Sequence, residues 1–185
     1  MPSSPFPEHP DSGKLFARNG VIDAALPLSR LPRFLRCLQD AEGDVAVHLH
    51  FGHDDEGCRR VQGSLDVPVH LLCQRCLQPM ELQLNATLDV LVVDDEAGRE
   101  RLEALRPEAE VLVDAEDALD VLALIEDELL LSLPAVPVHE DEDCSTELTR
   151  LRQEAATGNE ETAHPFAGLA ALLKRGQDDN GSQKQ

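Results

Sequence analysis

Tryptophan and tyrosine are absent from this 185-residue chain, and phenylalanine occurs only five times. That scarcity removes the material for the base-stacking platforms on which most readers of single-stranded RNA depend. No apolar run approaches the roughly 20 residues that a membrane-crossing helix needs. Residues 1–13 hold four prolines and no hydrophobic stretch of the kind that opens a secretory signal. The expected location is therefore cytoplasmic, neither exported nor membrane-anchored. Five cysteines, at positions 37, 58, 73, 76 and 144, are odd in number and too sparse for a disulfide framework, which fits a reducing compartment. A phosphate-binding glycine loop, a nucleophile elbow and a His-Glu-x-x-His pair are also missing. The chain is expected not to be an enzyme, and no small-molecule substrate is evident.

Positive charge is scarce in one region above all. Residues 1–80 carry 8 basic and 10 acidic groups, residues 81–148 carry 3 and 21, and residues 149–185 carry five of each. The middle segment thus holds 18 of the 20 excess negative charges. Such a surface repels a phosphate backbone within a Debye length of about 8 Å at physiological salt. It suits basic protein partners, or serves solubility alone.

The apolar pattern predicts an α+β fold, with an antiparallel sheet or partly closed barrel packed on one central helix between flexible N- and C-terminal tails. A disordered N-terminus is expected over 1–13 and a single domain over 14–144. A polar linker at 145–163, a short amphipathic helix at 164–175 and a disordered tail at 176–185 complete the plan. Leu31, Phe34, Leu35 and Leu38 share one helical face, with Arg30, Arg33 and Arg36 opposite them as the one notable basic cluster and the candidate RNA-binding residues. Alternation predicts strands over 44–51, 61–72 and 82–93, with Cys73 to Pro79 as the turn between the last two and His48, His50 and His70 exposed. Residues 96–107 read as a loop or short helix, and Glu110 to Val113 as a short strand.

A helix is expected from Asp117 or Asp120, as N-cap, to Leu133, where Pro134 stops it. Its apolar arc is broad enough, Leu131 included, to make it the core helix. Glu126 projects into that arc and must find a partner or stay protonated, with Arg75 in the cysteine turn as one candidate partner. Glu126, Asp127 and Glu128, together with Phe166 and Leu169 of the 164–175 helix, are the candidate partner-binding residues.

Cys73-Gln-Arg-Cys76 brings two thiols close enough to share one zinc ion or to form one disulfide. A structural zinc needs four ligands, and the other compact donor group is His139 with Cys144, giving a candidate Cys3His site. Free, packed or weakly redox-active thiols are the alternative.

Three stretches together resemble the YceD family, named for large ribosomal RNA subunit accumulation. They are Cys73-Gln-Arg-Cys76-Leu-Gln-Pro79, then Asp120 to His139 with its Leu-Pro-Ala-Val-Pro-Val-His exit and Cys144, and finally His164-Pro-Phe-Ala to Lys174. The resemblance implies a role in the synthesis, processing or stability of 23S ribosomal RNA, without an established enzymatic activity. Some family members carry further cysteines after the Leu-Pro stretch, where this chain keeps only His139 and Cys144. Combined with the acidic segment, it implies an assembly factor acting through ribosomal proteins or an rRNA-processing factor. The rivals are a direct RNA binder using Arg30, Arg33 and Arg36 with Arg59 and Arg60, and a thiol-redox or zinc protein.

Overall fold

Strict alternation of apolar and polar residues buries one face of each long strand: Val45, Val47, Leu49 and Phe51 in one, Val61, Leu65, Val67, Val69 and Leu71 in the next. The computed structural model describes residues 4–115, 119–141 and 143–157. It divides the chain into two compact units, Met1–Cys144 and Ser145–Gln185. In the first unit β1 (Val21–Pro27), β2 (Asp44–His53), β3 (Arg59–Leu72), β4 (Pro79–Val93) and β5 (Glu110–Val113) form one sheet in that order. The first four strands are antiparallel neighbours. β5 pairs in parallel with β4, because the intervening helix α3 (Glu96–Leu105) carries the chain back to start again in the same direction. The α+β class holds, with the sheet open and mixed rather than wholly antiparallel or partly closed.

The core lies on one side of this sheet, under α1 (Ser12–Ala17), the segment Leu28 to Leu35, and α4 (Val121–Ser132). Leu28 to Leu38 is not one helix. A 3-10 turn at Leu28–Arg30 is followed by the four-residue α2 (Pro32–Leu35). Pro32 is the cause: the residue before a proline is pushed out of helical geometry, and Leu31 has φ −117 and ψ 74. Of the two expected caps it is Asp120 that starts α4, its side chain accepting from the Ala123 N–H, and the helix buries Val121, Leu124, Ile125 and Leu129. Leu131, counted above in the buried arc, is 76% exposed. No helix among the described residues is long and apolar enough to cross a membrane.

Composition placed residues 1–13 in a disordered terminus, yet residues 4–13 are tied to the domain. Phe6 is buried, its N–H donates to Ala25 O at 3.0 Å, and Ser4 O accepts from the Ala25 N–H at 2.9 Å. The Arg30 guanidinium lies 5.4 Å from the Phe6 ring centroid and donates to the carbonyls of Phe6, Pro7 and Glu8. One buried ring and one arginine thus outweigh a proline-rich composition. In the second unit, part of the stretch expected as a polar linker forms α5 (Thr146–Thr157), with Arg150 placed between Glu147 and Glu154. The 164–175 helix, with Phe166 and Leu169, lies outside the described residues.

The long β3–β4 hairpin runs in unbroken register from Arg59↔Val92 to Leu72↔Pro79, so the cysteine turn stands at its far end. β2 covers only part of β3, up to Ala46↔Asp66. Beyond that point His70 O accepts from the Gln39 N–H at 2.9 Å, and His70 Nδ1 meets Asp40 Oδ2 at 2.8 Å. Gly63 is the tight point of the sheet: a Cβ there would sit 1.9 Å from His48 O in the neighbouring strand. Gly63→Ala is therefore expected to pry β2 from β3 and to cost about 1–3 kcal/mol or more, read as a lower midpoint in urea.

Candidate functional site

The turn at the end of the hairpin is built by its own backbone. Leu77 takes a left-handed φ of 58, its N–H donates to Cys73 O at 2.9 Å, and the Cys73 N–H donates to Gln78 O at 3.0 Å. This curl puts Cys73 and Cys76 on one side. Leu133 is extended ahead of Pro134, so α4 stops and the chain leaves as the irregular Pro-Ala-Val-Pro-Val run, bent at Ala135 and Val136. Gln74 N–H donates to Pro137 O at 2.8 Å, laying that run against the turn and delivering His139. Asp141 then turns the chain back: its Oδ1 accepts from the Asp143 N–H at 2.9 Å and its O from the Cys144 N–H at 3.3 Å. Arg75 Nη1 holds the same Asp141 O at 2.8 Å.

Together these contacts gather Cys73, Cys76, His139 and Cys144, whose donor atoms all lie within 4.8 Å of one another. Cys73 Sγ is 4.0 Å from Cys144 Sγ, and Cys76 Sγ is 3.4 Å from His139 Nδ1. Cys73 is buried, the other three are half-buried, and none is in a disulfide. Burial opposes ionisation of Cys73, but N–H groups of Cys76, His139 and Arg75 outweigh it and hold its thiol down to about 5. Burial, with Cys76 and Cys73 beside it, pushes Cys144 up to about 11. Three thiols and an imidazole in this arrangement are donors for a soft divalent metal.

Glu126 has a different partner from the one expected. Arg75 belongs to the cysteine turn, whereas Glu126 faces α2. The N-cap of α2 is Leu31, which has no side-chain acceptor, and Pro32 at the first helical position has no N–H. Glu126 Oε1 accepts from the next two N–H groups, those of Arg33 at 2.6 Å and Phe34 at 3.1 Å, while Oε2 accepts from Arg33 Nε at 2.8 Å. Arg33 Nη1 pairs in turn with Asp127 at 2.7 Å. Of the three acids singled out on α4, two are engaged by Arg33. Glu128 is partly buried, and burial with the nearby Glu110 raises its pKa.

The basic residues are similarly occupied. Arg30 clamps the N-terminal segment, Arg33 holds Glu126, and Arg36 is exposed. Arg59 contacts Asp94 at 2.7 Å and Asp114 at 3.3 Å and lies 5.3 Å from the Phe16 ring centroid. Arg60 pairs with Asp89, and Arg106 with Asp54 and Glu56.

The family model described as "Large ribosomal RNA subunit accumulation protein YceD" matches residues 61–173. The chain belongs to the YceD family. The Haemophilus influenzae protein named "Large ribosomal RNA subunit accumulation protein YceD" is 29% identical over 150 residues, 80% of this chain and 84% of that relative. No solved structure matches the chain. The span matched to YceD contains all four clustered donors and Glu126, and it begins after Arg30, Arg33 and Arg36.

Arg33, read from the sequence as a candidate RNA contact, is instead the partner of Glu126. Its signal was present in Leu31-Pro32: a helix start with no capping side chain needs an acceptor from elsewhere. Glu126→Ala strands two N–H groups and an arginine, and is expected to cost roughly 2–4 kcal/mol in urea melts, with Glu126→Gln costing less. Burial alone would raise the Glu126 pKa, but the Arg33 side chain and the N–H groups of Phe34 and Arg33 hold it below its ordinary 4.5. Between the two values the unfolded chain binds more protons, so this stabilisation is complete above about 4.5 and is lost as pH falls through the folded value. Stability measured against pH should show a shallower acid limb for Glu126→Gln than for the wild type.

Proposed function

We propose that this chain is a non-enzymatic cytoplasmic factor that supports the accumulation of large-subunit ribosomal RNA, by aiding the synthesis, processing or stability of 23S RNA through a basic protein partner. Membership of the YceD family, and the name carried by its relative from Haemophilus influenzae, support the ribosomal role. The observation that carries the route is electrostatic. Residues 81–148 hold 21 acidic groups against 3 basic ones. Asp95, Glu96, Glu100, Glu103, Glu108, Glu110, Glu140, Asp141 and Asp143 are all exposed.

Of the arginines that would have to grip RNA, Arg36 is exposed, whereas Arg30 holds the N-terminal carbonyls and Arg33, Arg59 and Arg60 hold carboxylates. For Arg33, Arg59, Arg60 and Arg106 to reach a phosphate, each would have to leave a carboxylate it already holds. A ribosomal protein or processing factor rich in lysine and arginine meets no such competition, and its approach is accelerated by the field of the acidic segment. Such attraction weakens with salt over a Debye length of about 8 Å under physiological conditions.

Crosslinking in cells followed by capture of the full chain tests the route. Recovery of basic ribosomal proteins or a processing enzyme, resistant to RNase treatment and released by high salt, is the expected result. Purified chain retaining 23S RNA by itself, with an affinity that falls steeply with salt as counterion release requires, would overturn it in favour of direct binding.

A further inference from the structure

The segment that follows α4 is held without a core. Among the described residues from Pro134 to Cys144 every one is exposed or only half-buried, and none belongs to a helix or strand. Its attachments to the hairpin turn include the Gln74 N–H bond to Pro137 O, the Arg75 side chain on Asp141 O, and the donor cluster itself. Glu140, Asp141 and Asp143 add exposed negative charge to the same few residues. Apolar burial does not account for this segment's fixed course, and hydrogen bonds at about 1 kcal/mol each are a weak tether.

We propose that Cys73, Cys76, His139 and Cys144 bind one zinc ion, as a closed structural site that staples the exit of α4 to the β3–β4 turn. Tetrahedral zinc with bonds of about 2.3 Å to sulfur and about 2.0–2.1 Å to nitrogen requires ligand separations of about 3.8 Å for S···S and about 3.6 Å for S···N. The Cys73–Cys144 distance is 4.0 Å and the Cys76–His139 distance is 3.4 Å, so small adjustments seat the ion. Three thiolates and an imidazole select zinc over magnesium or calcium, which take oxygen ligands. Four protein ligands fill the coordination sphere, leaving no position for substrate or water, so the site is structural.

Charge and hydrogen bonding fit as well. Zinc with three thiolates and a neutral imidazole carries one net negative charge. Arg75 supplies the opposite charge, with Nη1 3.8 Å from Cys144 Sγ, and its N–H lies 3.4 Å from Cys73 Sγ. These contacts are the outer support that thiolate sites use to orient their ligands. A Cys73–Cys144 disulfide fits less well: the sulfurs would have to close from 4.0 Å to about 2.05 Å, and Cys76 and His139 would be left without a role. The inference does not depend on the ribosomal role.

Metal content decides the matter. The full chain, produced in zinc-supplemented medium and gel-filtered without chelator, should contain about one zinc per molecule by mass spectrometry. Cobalt exchanged into it should give the visible bands of a tetrahedral thiolate site. Cys76→Ser and His139→Ala should lose the metal, whereas His139→Cys, which restores a fourth ligand, and Cys37→Ser, outside the cluster, should keep it. Chelation of the wild type should open residues 134–144 to protease. A folded wild-type chain without zinc, a disulfide among these cysteines in that preparation, or zinc retained at full stoichiometry by both Cys76→Ser and His139→Ala would overturn the proposal. Because the decisive measurement is on the wild type and on the His139→Cys rescue, a variant that failed to fold would not blunt it.

Discussion

A single carboxylate joins the two halves of the core. Glu126 sits on the buried side of α4 and accepts from the N–H groups of Arg33 and Phe34, 93 and 92 residues earlier. Phe34 is fully buried, so the register of α2 against α4 sets how the segment from Leu28 to Leu35 roofs the sheet. The charge is tolerable because the orphan donors of an uncapped helix and a guanidinium converge on it. An apolar residue at 126 would pack, but it would leave those donors without the acceptor that they use here. α4 is thereby fixed along its length, and its end, where the chain leaves towards His139, is fixed with it.

Sequence patterns revealed the strands and the central helix because their periods are strong. β5 matches its expected bounds, and Asp120 caps α4 as read from Asp120-Val-Leu-Ala. The cysteine turn also falls where alternation stops, between Leu72 and Pro79. What could not be read were contacts between distant stretches that share no pattern. β1 was missed although Ile22, Ala24 and Leu26 alternate with exposed Asp23, because the Ala24-Ala25 pair gives little apolar contrast, and it becomes a strand through its register with β2. The partner of Glu126 was misassigned because charge complementarity offers many arginines, and only the missing cap at Leu31 distinguishes one of them. His139 and Cys144 stand out in the sequence as the compact donor group that could complete the Cys73–Cys76 pair. Their distances depend on the Gln74–Pro137 and Arg75–Asp141 contacts, which no spacing rule encodes.

The distribution of charge follows one logic throughout the first unit. Arginines are used as internal fasteners: Arg30 on the N-terminal carbonyls, Arg33 between α2 and α4, Arg59 across β3 to Asp94 and Asp114, Arg106 from the end of α3 to Asp54 and Glu56. Planar guanidinium groups suit this work because one group can satisfy several acceptors at once. Once they are so occupied, the outward-facing remainder is dominated by carboxylates. The acidity of the molecule itself comes from 36 acidic side chains against 16 basic ones, since each pairing neutralises carboxylates along with the arginine.

The bridge between Ser4–Phe6 and β1 has a consequence for how the molecule behaves in company. β1 is an outer strand of the sheet, and a bare outer strand offers its backbone to any neighbouring chain. Here Ala25 exchanges hydrogen bonds with Ser4 and Phe6, and the flanking Pro5 and Pro7 have no N–H with which to extend the ladder outward. Residues 4–7 thus act as a selvedge that keeps the weave from continuing into a second molecule. Trimming them would change the protein's tendency to self-associate before it changed the fold beneath.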